Sequence, residues 1–103
     1  MHSVLVTFKN AAPLDQLAGE LSKAAEEIRE APGLISKAWL KDGDTLGGFY
    51  VFSNRETAEG YIEHAKAGLK EVPVFSNVEV RHFEMLDELS VLNGTPSNTL
   101  AER

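Results

Sequence analysis

The chain has no cysteine among its 103 residues. That excludes disulfides, thiol nucleophiles and thiolate metal ligands, and it accords with a reducing, cytoplasmic location. Long apolar runs are also missing. None approaches the roughly 20 residues a membrane helix needs, and the N-terminus lacks the basic and apolar stretches of a signal peptide. Positive charge is scarce: ten Lys and Arg stand against sixteen Asp and Glu, a net charge of −6. Nucleic acid and anionic membrane are therefore not expected partners, since both reward clustered Lys and Arg. The three histidines, His2, His64 and His82, are scattered, with no i, i+4 pair and no adjacent carboxylate motif, so no metal site is expected. A Gly-x-Ser-x-Gly elbow, a phosphate loop and a nucleotide fingerprint are all lacking, and no other cofactor is expected either.

With 43% apolar and 25% charged residues, the composition is that of an ordinary globular domain. One domain over residues 1–92 is expected, followed by a polar tail, 93–103, that stays mobile unless a partner holds it. A domain this small buries only about 60–70% of its unfolded surface, which makes association attractive. No internal repeat or low-complexity tract occurs.

Residues 2–9, rich in β-branched and apolar types, predict a first strand. Pro13 suits the first position of a helix of about four turns, whose stripe is Leu14, Leu17, Leu21, Ala24, Ala25 and Ile28. Pro32-Gly33 ends it. Two strand-like runs follow on either side of Asp42-Gly43, a strong hairpin signal. Ser53 and Glu56 have the spacing of a capping box for a second helix, with Ala58, Tyr61, Ile62, Ala65 and Leu69 as its buried stripe. Residues 76–86 predict a fourth strand, and 87–92 could add one helical turn. The order strand, helix, strand, strand, helix, strand with right-handed crossovers is a ferredoxin-like α+β fold, βαββαβ, with both helices on one face of a four-stranded antiparallel sheet.

The hairpin holds the chain's only Trp, Trp39. Alternation along its strands puts Ile35, Lys37, Trp39, Gly48, Tyr50 and Phe52 on one face. Leu34, Ser36, Ala38, Leu40, Gly47, Phe49 and Val51 lie on the other. A two-residue turn at Asp42-Gly43 would pair Lys37 with Gly48; a four-residue loop shifts the pairing by two and keeps the same faces. Both faces are largely apolar and helices can cover only one, so a face-to-face homodimer is the economical arrangement. Lys37 between Trp39 and Tyr50 fits a pocket wall, with packed core and a solvated edge as the plain alternative. Tyr61 is either core or a donor into the same space. His64, one turn on, lies at the stripe's margin and is either a surface residue or the imidazole nearest such a pocket. Thr7 is a weaker lining candidate. His82, with Val78 and Val80, is expected at the dimer seam as a structural residue, and His2 as a terminal surface residue.

The run Gly47-Gly48-Phe49-Tyr50-Val51-Phe52 after Lys37-Ala38-Trp39 resembles the YdhR-like monooxygenase family of the dimeric α+β barrel superfamily. Pro32-Gly33-Leu34, Ala58, Tyr61-Ile62-Glu63, Phe83 and Glu88-Leu89-Ser90 extend the match to about residues 2–93. Ser36 stands where the family usually has a bulky aromatic, and Leu46 where a small residue precedes the glycines. The resemblance implies a homodimer whose sheets form a barrel, with a pocket in each subunit between sheet and helices. Distant superfamily members, haem-degrading and quinol monooxygenases, carry a Trp and a His at positions corresponding to Phe52 and Tyr61. That correspondence implies that Lys37, Trp39, Tyr50 and Phe52 face the helices.

Two functions follow as expectations. One is cofactor-independent monooxygenation of a small aromatic, quinol- or phenol-like, with Lys37, Trp39, Tyr50, Phe52, Tyr61 and His64 binding the substrate and no catalytic base assigned. The other is a non-catalytic homodimer that binds a small molecule or serves as an interaction module. Haem degradation is a third reading, disfavoured by Tyr61 in place of a His.

Overall fold

The computed structural model describes residues 1–87. The proposed turn at 87–92, the Glu88-Leu89-Ser90 motif and the 93–103 tail lie outside the described residues or run beyond them. Four strands, β1 (His2–Asn10), β2 (Leu34–Asp42), β3 (Thr45–Phe52) and β4 (Phe75–Glu84), form one antiparallel sheet in the order β2-β3-β1-β4. Helices α1 (Ala18–Ile28) and α2 (Arg55–Lys70) complete the ferredoxin-like α+β fold. Neither described helix is long and apolar enough to cross a membrane.

The alternation in β1 sets the layers. His2, Val4, Val6 and Phe8 are buried against the helices, where Leu17, Ile28, Leu46, Tyr50, Phe52, Ala58 and Ile62 complete the core. Burying such side chains contributes about 1.5–3 kcal/mol each, the main term holding the two layers together.

Local details differ from the sequence expectations, each for a physical reason. Pro13 is extended, with ψ 141°, so it precedes the helix, and a 3-10 turn at Leu14–Leu17 leads into α1. Asn54, not Ser53, caps α2: its side chain accepts from the Thr57 backbone N–H at 2.9 Å. The Ser53 N–H is occupied by the Gly33 carbonyl at 2.8 Å, which holds that residue in the strand layer. Gly33 itself has φ 76°, and a Cβ there would collide with the Thr57 side chain. The hairpin loop is Gly43-Asp44, with Asp42 paired to Thr45. Gly43 has φ 60°, as the first central position of a type II′ turn prefers. Lys9 anchors the loop through Asp44 (3.2 Å) and Thr45 (2.9 Å).

The register is thus the one shifted by two: Lys37 pairs with Tyr50, and Trp39 with Gly48. The division of faces holds except at the start of β2. An irregularity between Leu34 and Ser36 brings Leu34 opposite Phe52, and Leu34 packs on the helix-side core rather than the open face. On β4 the expectation is reversed. Val80 pairs with Val6 and His82 with Val4, so Val78, Val80 and His82 sit on the helix side, while Arg81 and Phe83 take the other. A bulge between Thr7 and Lys9, with Asn77 at φ 52°, accompanies this pairing. His2 is not a surface residue: it is buried, with Nε2 2.9 Å from His82 Nδ1. Thr7 shares the open face with Leu5, away from the cavity described below.

The open face carries Leu5, Ala38, Leu40, Phe49, Val51 and Phe83. Among the described residues no element covers it, and Leu40, Phe49 and Phe83 remain 38–39% exposed.

Candidate functional site

Between sheet and helices lies a cavity of about 210 Å³. The sheet supplies its floor. Gly48 lacks a side chain where Lys37, Trp39 and Tyr50 converge, and a Cβ there would come within 2.9 Å of both Lys37 Cε and Tyr50 Cε1. Gly47 is constrained from the other side, since a Cβ would run into the Val6 carbonyl oxygen. The paired glycines therefore open the cavity and let β1 and β3 approach.

Lys37, Trp39, Tyr50, Tyr61 and His64 all line this space. Lys37 Nζ stands 3.3 Å from the Trp39 ring centroid and 4.6 Å from that of Tyr50. Such cation–π contacts are worth about 0.5–1 kcal/mol when exposed and about 2 or more when desolvated. No carboxylate among the described residues forms an ion pair with Lys37. Burial lowers its pKa to about 8, because the apolar wall disfavours the charged form. Even so, the amine stays mostly protonated at pH 7.

Tyr50 is buried, yet its hydroxyl makes no hydrogen bond among the described residues and is not sealed off from the cavity. Burial, then the neighbouring Tyr61, push its pKa well up, so it remains a donor at any physiological pH. Tyr61 is half-buried, and its pKa is raised by burial first and then by Glu27. The two tyrosine rings lie 5.8 Å apart.

Phe52 is placed differently from the other expected site residues. It is fully buried and does not line the cavity. It stacks behind Tyr50, with centroids 6.2 Å apart and planes 14° apart, and meets Tyr61 at 5.9 Å. Its role is to fix the two tyrosines from behind. His64 is exposed, at the cavity's edge.

Sequence reasoning did not assign Glu20, Leu21, Ala24 and Glu27 of α1 to the wall, nor Gly68 and Leu69 of α2. Leu21, Ala24 and Leu69 belong to the predicted helix stripes, but a stripe alone does not separate cavity wall from core. Glu20 and Glu27 carried no signal beyond a charged helix flank. Among the described residues no group of three His, Asp or Glu side chains is assembled to hold a metal.

Residues 4–96 match the family model described as "Putative mono-oxygenase ydhR". No curated protein matches the sequence. Among solved structures, a "putative antibiotic biosynthesis monooxygenase" from Deinococcus radiodurans is similar at 15% identity and TM-score 0.65, over 82% of this chain and 92% of that one. SnoaB, a cofactor-independent oxygenase from Streptomyces nogalater, is similar at 15% identity and TM-score 0.62, again over 82% and 92%. The ActVA-Orf6 monooxygenase of Streptomyces coelicolor, solved with Nanaomycin D, is similar at 19% identity and TM-score 0.59, over 82% and 86%. At such identities these likenesses establish the fold.

Proposed function

The chain belongs to the "Putative mono-oxygenase ydhR" family, and we propose that its cavity holds a small hydroxylated aromatic as the anion and oxygenates it with O2 as sole co-substrate. One observation carries this reading: Lys37, an ammonium that forms no ion pair with a carboxylate among the described residues, sits in an aromatic cavity between Trp39 and Tyr50. A phenolate or quinolate would supply the missing negative charge. The Tyr50 and Tyr61 hydroxyls would supply hydrogen bonds to the same oxygen, and Trp39 an aromatic face.

The chemistry needs no external reductant. A hydroquinone plus O2 gives a hydroxyquinone plus water, the substrate furnishing all four electrons. Loss of the phenolic proton makes the ring electron-rich. One electron passes to O2, the resulting radicals combine into a C–O bond, and the hydroperoxide loses water to leave a ketone, which enolises to the hydroxyquinone. Stabilising the anion in a dry site lowers the first barrier. His64 brings the wall its one imidazole, the side-chain type suited to accept the phenolic proton.

Support for the small-molecule partner also comes from the ActVA-Orf6 neighbour, which was solved in complex with the ligand Nanaomycin D. A second copy of the chain is the proposed cover for the open sheet face, giving a homodimer.

The test is oxygen uptake with a panel of quinols and phenols, paired with Trp39 fluorescence. Uptake with stoichiometric hydroxyquinone supports the enzyme. Saturable quenching without uptake makes the protein a binder instead, and neither signal with any compound removes the site.

A further inference from the structure

A second cavity, about 340 Å³, adjoins the first. Phe8, Leu21, Trp39 and Gly47 belong to the walls of both. The two spaces are therefore lobes that meet along Trp39. Their chemistries differ. The first lobe holds the Lys37 cation, both tyrosines and the His64 imidazole, with Glu20 and Glu27 on its α1 wall. The second is aliphatic, walled by Leu14, Ala25 and Leu46 with Ser22 and Lys41 at its polar positions. Leu14 stays 41% exposed and Trp39 48%. Leu14 lies on the apolar stripe of its helical segment and yet finds no core to enter.

We infer that the ligand is amphipathic: a hydroxylated aromatic head in the lobe of Lys37 and Tyr50, joined to an alkyl or isoprenoid tail that passes Trp39 into the aliphatic lobe. This rests on the head-group reading above and adds the substrate class. A bare ring would fill the first lobe and leave the second wet. A chain of several carbons covers the leucines, and each methylene moved from water into an apolar lobe tightens binding up to about four-fold. Trp39 belongs to the walls of both lobes, so one fluorophore reports on either part. Lys41 at the far rim favours a tail that ends in a neutral or acidic group over one ending in an amine.

The test is anaerobic titration of 2-alkyl-1,4-dihydroxynaphthalenes, from the unsubstituted compound to the octyl one, followed by Trp39 fluorescence. The expected result is a steady rise in affinity, two- to four-fold per methylene, over the first four to six carbons and then a plateau. Ala25→Phe and Ser22→Phe each place a ring in the second lobe; Ser22 is exposed on α1, so its variant keeps the core intact. In both variants the rise along the series should collapse. A flat series in the wild type, with the unsubstituted head bound, overturns the tail lobe and leaves the head site standing. A rise that persists undiminished in both folded variants also overturns it. Failure of every compound to bind overturns the head site and the tail together.

Discussion

His2 Nε2 lies 2.9 Å from His82 Nδ1 across the β1–β4 pair, with the rings 5.1 Å apart. One ring donates and the other accepts, so the pair holds only while at least one imidazole is neutral. His2 has its pKa lowered by burial first, then by the nearby His82, with Arg55 and the N-terminus adding to the effect and Glu59 opposing it. Between the ordinary value of 6.5 and that lowered one, the unfolded chain binds more protons than the folded chain. Stability should therefore fall as pH drops below about 6.5. Urea midpoints at pH 7.5 and 5.5 measure it. In His2→Phe the gap between the two midpoints should shrink, and an equal gap in both proteins would remove His2 as the cause. The Glu59 carboxyl is held low by its Arg55 partner, so it does not titrate in this window.

The glycines divide by what a side chain would meet. Gly60 on α2 has nothing within 4 Å of an added Cβ, so Gly60→Ala should stabilise the helix by up to about 1 kcal/mol. Gly48→Ala should do the opposite. Its methyl presses on Lys37 Cε and Tyr50 Cε1, a crowding that costs about 1–3 kcal/mol. Thermal melts of the two variants should move in opposite directions, and ligand affinity should fall only in Gly48→Ala.

The open sheet face predicts self-association. Leu40, Phe49 and Phe83 are each more than a third exposed on one side of one sheet, an apolar patch that lone proteins seldom leave wet. Light scattering at micromolar concentration should give about twice the chain mass of 11.3 kDa. Phe49→Lys, which puts a charge at the centre of that face, should yield the single-chain mass with the helix signal retained. A wild type that scatters as one chain would end the proposal.

Much of this was legible in the sequence, and the gaps have physical causes. Hairpin parity depends on a few adjacent residues, and a slip of two leaves it intact. Lys37, Trp39 and Tyr50 could therefore be put on one face although the turn sits one residue later than Asp42-Gly43 indicates. Leu34 escaped because a local irregularity reverses parity, and no residue type marks it. His82 and Val80 escaped because the register of β4 on β1 joins segments some 80 positions apart, with no short turn to fix it. Phe52 was expected on the wall and is instead its backing: parity gives the face, but depth along the strand decides core from cavity. Glu20 and Glu27 could not be found, since the tilt of α1 over the sheet decides which flank reaches the mouth.

The last prediction isolates Lys37. Its amine, lowered to about 8 by burial, is charged at pH 7 and largely neutral at pH 9. Affinity for an ionised phenol should therefore be highest near neutrality and fall as pH rises through about 8, whereas a ligand that is neutral throughout should bind evenly across that range. Lys37→Met keeps the apolar stem and deletes the charge. Losing one charge-assisted hydrogen bond costs about 1.5–3 kcal/mol, or about ten- to more than a hundred-fold in affinity for the anion. The neutral ligand should lose little. The free protein offers a second readout. Because the folded amine has the lower pKa, the unfolded chain holds more protons between about pH 8 and the ordinary value of 10.5, and wild-type stability should rise across that interval. Tyr50, whose pKa is pushed up by burial, acts with the opposite sign once pH passes 10. Lys37→Met should lack the rise, melt higher than wild type at pH 7, and keep the fall. If the variant binds the anion as tightly as wild type and shows the same stability profile, Lys37 is a snorkelling surface lysine and the cavity holds no anion.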